Sequence, residues 1–201
     1  SAGPIAGITQ YGGTGKCLVC SISPMTDIPI DSNVGGYFGP FLKFSGFDVI
    51  ELTGKAEEDV IIVIDGNKGT VSIEKAPLEH KDAHVLGEEL TTMYAEDDND
   101  RKNVAVVCSG SAADHCNLSM LNFTFYDPKR NVVRLKQAGR GGIGRVFADK
   151  HIKALVCHFK GVKANLNHVY DISILNRDGL KFHREVATQD DKQNSMRKSG
   201  T

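Results

Sequence analysis

Two stretches of this chain follow one plan. "NVGGYFGPFLKFSGFDVIELTGK" (33–55) and "AGRGGIGRVFADKHIKALVCHFKG" (138–161) each carry a Gly-Gly pair, one or two residues, and a third Gly. A short segment with a lysine follows (Lys43, Lys150). Then come an apolar strand-like run and a Gly/Lys pair (Gly54–Lys55, Lys160–Gly161). Gly35 and Gly141 set the units 106 positions apart. A duplicated loop–helix–strand unit predicts pseudo-two-fold symmetry. It would present two equivalent glycine-lined loops to two equivalent ligands, or to one ligand with two similar halves.

Glycine permits positive φ and close backbone approach. Backbone N–H groups at such loops suit anions. Lys136 and Arg140 would add charge-assisted hydrogen bonds to a phosphate, and Asn33 brings polar groups to the other loop. Each loop alone also reads as a tight turn that lets a helix pack on a sheet; the duplication favours a cradle. A phosphate- or nucleotide-binding α/β enzyme rests on the glycines alone. "GRGGIG" follows a polar segment rather than a clear strand, and no acidic strand end follows roughly 20 positions later, which argues against a dinucleotide fold. GxxxxGK[ST] is absent, which excludes a P-loop.

The 201 residues suit one large domain or two small ones, and the net charge of −1 gives no sign of a nucleic-acid or membrane-surface binder. No apolar run approaches the roughly 20 residues of a membrane span. "SAGPIAGI" does not read as a signal peptide; it reads as a cut, or as a chain whose true start lies upstream. Five irregularly spaced cysteines argue against a disulfide framework. The one CxxC, Cys17 and Cys20, falls in a strand-like run that would turn its thiols to opposite faces. The histidines show no HExxH pattern; His151 and His158 flank the last strand and read as surface or core residues.

Strands are expected at 15–23, 48–55, 58–65, 69–76, 104–111, 116–127 and 153–161, with a hairpin at "DGNKG". Helices are expected at 82–94, from the spacing of Leu86, Leu90 and Met93, and at about 143–150. "RNVVRLKQ" fits no element clearly. From Asn165 the pattern turns polar and helical, like a connector.

"GPIAGI", "SISPMTDIPIDSNVGGYFGPFLKFSGFDVIELTGKAEE", "DGNKGTVSIEKAPLEHKDAHVLGEEL" and "AGRGGIGRVFADKHIKALVCHFKG" occur in the order found in one family. The chain resembles the N-terminal, tungstopterin-binding domain of the aldehyde ferredoxin oxidoreductases. The resemblance implies an α+β fold: a two-sheet, pseudo-two-fold base with short helices packed on it. It implies a cofactor-cradle domain at 1–163 and a helical connector at 164–201. It also implies a tungsten (or molybdenum) bis-pterin whose two phosphates share Mg2+, one phosphate to each loop.

Position by position, Asn33, Gly35 and Gly36 match the first loop, and Lys136, Gln137, Ala138, Gly139, Arg140 and Gly141 the second. Asn33 and Gln137 would turn backbone carbonyls to magnesium. Lys16, after "GGTG", stands where the family often has a basic contact to the cofactor. Lys136 stands where arginine is usual; a lysine keeps the charge but loses the bidentate fork. "SGSAADHCNLSMLNFTFYDPKRNVVRLKQ" replaces a shorter "GPAGEN"-like segment, echoed only by Gly110, Ala112 and Asp114, and no cofactor role is expected there.

The family's [4Fe-4S] cysteines and acid/base residues lie on later helical domains, and none of those motifs occurs here, so no catalytic residue is assigned. The resemblance implies partners in the remaining helical domains or a larger subunit, ferredoxin or an electron-transfer subunit, a homodimer, and a cytoplasmic location. The expected activity is oxidation of aldehydes to carboxylic acids, or the reverse. The alternative is a non-catalytic scaffold of the same fold without cofactor.

Overall fold

The computed structural model describes residues 1–79, 81–161 and 168–199. A six-stranded mixed sheet forms its centre. The strands are β3 (Val60–Asp65), β4 (Thr70–Lys75), β5 (Val104–Cys108), β6 (Leu121–Asp127), β7 (Val132–Ala138) and β8 (Ile152–His158), in spatial order β4-β3-β8-β5-β6-β7. Among the described residues only β3 and β8 pair in parallel. Strands β1 (Cys17–Ile22) and β2 (Pro29–Val34) form a separate antiparallel hairpin.

Helix α2 (Ala83–Tyr94) covers one face of the large sheet, burying Leu86 and Leu90 against Val104, Val106 and Val156. Asp82 caps it by accepting the His84 N–H at 2.8 Å. The opposite face carries α1 (Phe38–Phe44), α3 (Ile143–Asp149) and the small sheet around Val34, Phe38, Leu42, Ile64, Phe123 and Phe147. The apolar runs of β5 and β8 are buried on both faces because layers lie on both sides. Helices α4 (Ile172–Thr188) and α5 (Met196–Ser199) end the described chain.

The α+β, two-sheet architecture agrees with expectation, and several elements differ in detail. The run at 48–55 is no strand. It joins no ladder and is pinned by the second repeat: Lys150 Nζ donates to the Gly54 carbonyl at 2.7 Å, and Lys55 pairs with Asp149 at 3.2 Å. Residues 29–34, polar in sequence, form β2. "RNVVRLKQ" supplies most of the edge strand β7, in which exposed Val132, Arg134 and Lys136 alternate with half-buried Val133 and Leu135. Strand β6 begins only at Leu121, leaving 116–120 as a loop. Met93 is 48% exposed, and Thr91 takes the buried place instead. The "DGNKG" turn forms as expected, with Asp65 Oδ1 accepting the N–H groups of Asn67 and Lys68. Cys17 is buried and Cys20 exposed, as strand alternation requires. The expected boundary at 163–164 and the polar turn from Asn165 lie outside the described residues.

Candidate functional site

The duplication is physical. Each unit is an antiparallel hairpin, a glycine loop and a seven-residue helix: β1–β2 with α1, and β6–β7 with α3. Cys17 pairs with Val34, and Leu121 pairs with Ala138, so the hairpins match with a shift of 104 positions. The helices are reciprocal: α1 packs on β6 and α3 packs on β1. The second loop is one residue longer, so the helices match at a shift of 105, with Gly39 equivalent to Gly144. The strand register therefore pairs Gly35 with Gly139, not with Gly141 as the sequence alignment of the glycine pairs has it.

The two loops meet. A Cβ on Gly35 would lie 3.8 Å from the Lys136 Cγ, and one on Gly141 would lie 2.4 Å from Ile30 Cγ2. These contacts run in opposite senses, so the end of β2 lies alongside the end of β7. Asn33 and Gln137 occupy equivalent penultimate positions there, opposite Leu18 and Asn122 in their ladders. Gly36, at φ +108, presses on the Thr124 carbonyl, where a Cβ would stand 3.2 Å away. The turn ending in Lys16 closes the other side: a Cβ on Gly15 would stand 3.3 Å from the Gly36 carbonyl. Lys16, Gly35, Gly36 and Lys136 thus share one neighbourhood.

Lys16, Asn33, Lys136, Gln137, Gly139 and Arg140 are exposed, Gly35, Gly36 and Gly141 half-buried, and Ala138 buried. The ammonium of Lys136 stands 5.6 Å from the centre of the Phe125 ring. Asp127 engages Arg130 and Arg134 but not Lys136. None of Lys16, Lys136 and Arg140 has a carboxylate partner among the described residues. Unpaired cations beside glycines with open space, Gly139 among them, leave donors free for an anion.

Sequence reasoning missed the supports behind the second loop. Gly142, at φ +67, would place a Cβ 1.9 Å from the Asn117 carbonyl. Arg145 donates to the Asp114 carbonyl at 2.6 Å. The 114–120 loop is therefore the buttress of the second glycine loop, as "GGTGK" is of the first. The signal was its place just before the hairpin in both repeats.

A sequence model of the aldehyde ferredoxin oxidoreductase N-terminal domain matches residues 1–159. This chain belongs to the aldehyde ferredoxin oxidoreductase family. It is 35% identical over 156 residues to the tungsten-containing aldehyde ferredoxin oxidoreductase of Pyrococcus horikoshii, covering 78% of this chain and 23% of that protein. It is 33% identical over 160 residues to the Pyrococcus furiosus enzyme of the same description, covering 77% and 23%. Its fold resembles a chain of the active site complex BamBC of benzoyl coenzyme A reductase in complex with 1,5-dienoyl-CoA. The TM-score there is 0.58 and the identity 24%, over 78% of this chain and 21% of that one. The chain spans about a quarter of the length of the curated relatives it matches (23%).

The residues present fit an anionic group such as a phosphate, because Lys16 and Lys136, without carboxylate partners among the described residues, stand beside the backbone of Gly35 and Gly36. Among the described residues no three His, Cys, Asp or Glu stand close enough together to hold a metal ion. Burial pushes the Cys108 and Cys157 thiols up to about 12, which makes them core residues rather than thiolate ligands. Among the described residues no helix is long and apolar enough to cross a membrane.

Proposed function

We propose that this chain is the tungsten–pterin-binding portion of an oxidoreductase that oxidises aldehydes to carboxylic acids, or the reverse. The observation that carries the reading is the equivalence of Asn33 and Gln137. The two residues assigned to magnesium through their carbonyls occupy the same place in two repeats whose loops touch. A cofactor with two like halves and a shared cation calls for such a pair.

In this reading Lys16, Lys136 and Arg140 make single charge-assisted contacts to pterin phosphates. Gly35, Gly36, Ala138, Gly139 and Gly141 bring backbone close to them. When bound, the tungsten or molybdenum pterin supplies the redox chemistry, and the chain supplies binding, orientation and shielding. Residues 1–163 form the cradle and 164–201 lead toward helical domains or a larger subunit. Those parts carry the [4Fe-4S] cluster, the acid/base residues and the passage of electrons to ferredoxin or a partner subunit. The family assignment supports a cytoplasmic setting.

Elemental analysis for tungsten, molybdenum and iron, with pterin fluorescence after oxidation, tests this on protein purified anaerobically from its native source. Tungsten and pterin co-purifying with the chain support the cradle. A chain that arrives with its partners but without metal or pterin leaves the scaffold reading in its place.

A further inference from the structure

Helix α4 returns to the cradle at one point. Gly179 is its buried residue, and a Cβ there would lie 2.7 Å from both the Cβ and the carbonyl oxygen of Gln10. Asn176 Oδ1 accepts from Gln10 Nε2 at 2.7 Å, and Phe182 meets the Tyr11 ring at 6.1 Å. Three residues on one stretch of helix thus hold one corner of a loop, and glycine is what allows the backbones to meet.

That corner belongs to a compact turn. Tyr11 N–H donates to the Ile8 carbonyl, Thr14 Oγ1 to the Tyr11 carbonyl, Gly7 N–H to the Thr14 carbonyl, and Lys16 N–H to the Gly13 carbonyl. Thr14 is buried at its centre. The far corner carries Lys16, and Gly15 lies against the Gly36 carbonyl. These hydrogen bonds link the Gln10 corner of the turn to the Lys16 corner through Tyr11, Thr14 and Gly13.

We propose that α4 is a brace of the cradle, and that Gly179 is a positioning residue that sets Lys16 and Gly36 by letting the helix seat on Gln10. The proposal rests on the cradle reading for what Lys16 and Gly36 then bind. Cradle occupancy and seating of α4 become reciprocally coupled. The segment after the cradle thereby acts on the cofactor site itself, besides joining it to the rest of the protein.

Gly179→Ala tests this. Alanine is the better helix former, so the helix persists while its Cβ forces it off Gln10. Asn176→Ala is the milder second variant. Hydrogen exchange read by mass spectrometry on the full chain is expected to rise at least roughly tenfold in peptides covering 7–18 and 33–38. The β5 peptide should be unchanged and helical circular dichroism retained. A rise confined to 7–11 and α4, or no rise, overturns the brace. Magnesium pyrophosphate is the binding probe, followed by calorimetry. Weaker binding in the variant than in the native chain supports coupling, and equal binding contradicts it. No binding by the native chain counts against the cradle reading, and hydrogen exchange then decides the brace alone.

Discussion

Gly39 and Gly144 meet the same atom of equivalent residues. A Cβ on Gly39 would stand 3.3 Å from the Lys16 carbonyl oxygen, and one on Gly144 would stand 2.5 Å from the Met120 carbonyl oxygen. In both repeats the third glycine of the motif lets a short helix lie on the backbone leading into its own hairpin. Its role is packing, which separates it from Gly35, Gly36, Gly139 and Gly141, which are half-buried or exposed. Gly144→Ala drives a Cβ into backbone that cannot swing away and should cost about 2–3 kcal/mol. Gly39→Ala meets a milder contact, offset by alanine's gain of about 1 kcal/mol in a helix, and should stay within about 1 kcal/mol of the native protein. Urea unfolding of the two variants reads the difference.

The helix ends are also equivalent, yet they differ in chemistry. Gly46 follows α1 at φ +93, and His151 follows α3 at φ +58. A left-handed conformation costs an L-residue roughly 1–2 kcal/mol. Nothing lies within 4 Å of the Cβ position of Gly46, so Gly46→Ala should cost about 1 kcal/mol through conformation alone. His151→Gly should stabilise by up to about 1 kcal/mol, less whatever its 3.4 Å contact with Asp59 contributes. Thermal unfolding of both variants checks the opposite signs.

Asp100 sets a pH dependence. Burial by itself would raise its carboxyl. The Asn103 amide, the Glu96 N–H and the charges of His158 and Lys160 outweigh burial and hold it below the usual carboxylate range. A group depressed in the folded state stabilises above its unfolded pKa of about 3.9, and that stability is lost as pH falls through the folded value. Thermal unfolding from about pH 5 to 2 should therefore fall less steeply in Asp100→Asn than in the native chain. Equal slopes would remove Asp100 from the account.

Thiol reactivity follows strand geometry. Cys20 is exposed, Cys116 half-buried, and Cys17, Cys108 and Cys157 buried. Burial raises all three buried thiols, Cys108 and Cys157 to about 12. An aqueous disulfide reagent at neutral pH should modify Cys20 first and Cys116 more slowly. The other three should react only on unfolding, as peptide mapping would show.

The paired glycine loops and the buried strands were legible because glycine density and apolar runs are local signals. β2 and β7 were not. "PIDSNV" and "VVRLKQA" mix polar and apolar residues in short strands whose places are fixed by pairing with β1 and β6. The run at 48–55 looked like a strand because it is apolar. Its apolar residues instead line a cleft of about 490 Å³ with Leu42, Phe147 and Leu155, and its backbone is held by Lys150. Asn33 stands out beside its glycine loop, whereas Lys16 and Gln137 come only from the resemblance; the three-dimensional register reveals that Asn33 and Gln137 are equivalent.

The most direct measurement is the tungsten-to-chain ratio of the anaerobically purified full-length protein, native against Lys136→Glu/Arg140→Glu. Both side chains are exposed and unpaired by carboxylates among the described residues, so the double variant should fold. The account predicts tungsten in the native protein and a loss of roughly tenfold or more in the variant, since two charge-assisted contacts become repulsive. Tungsten retained in full by the variant, or absent from both, would contradict it.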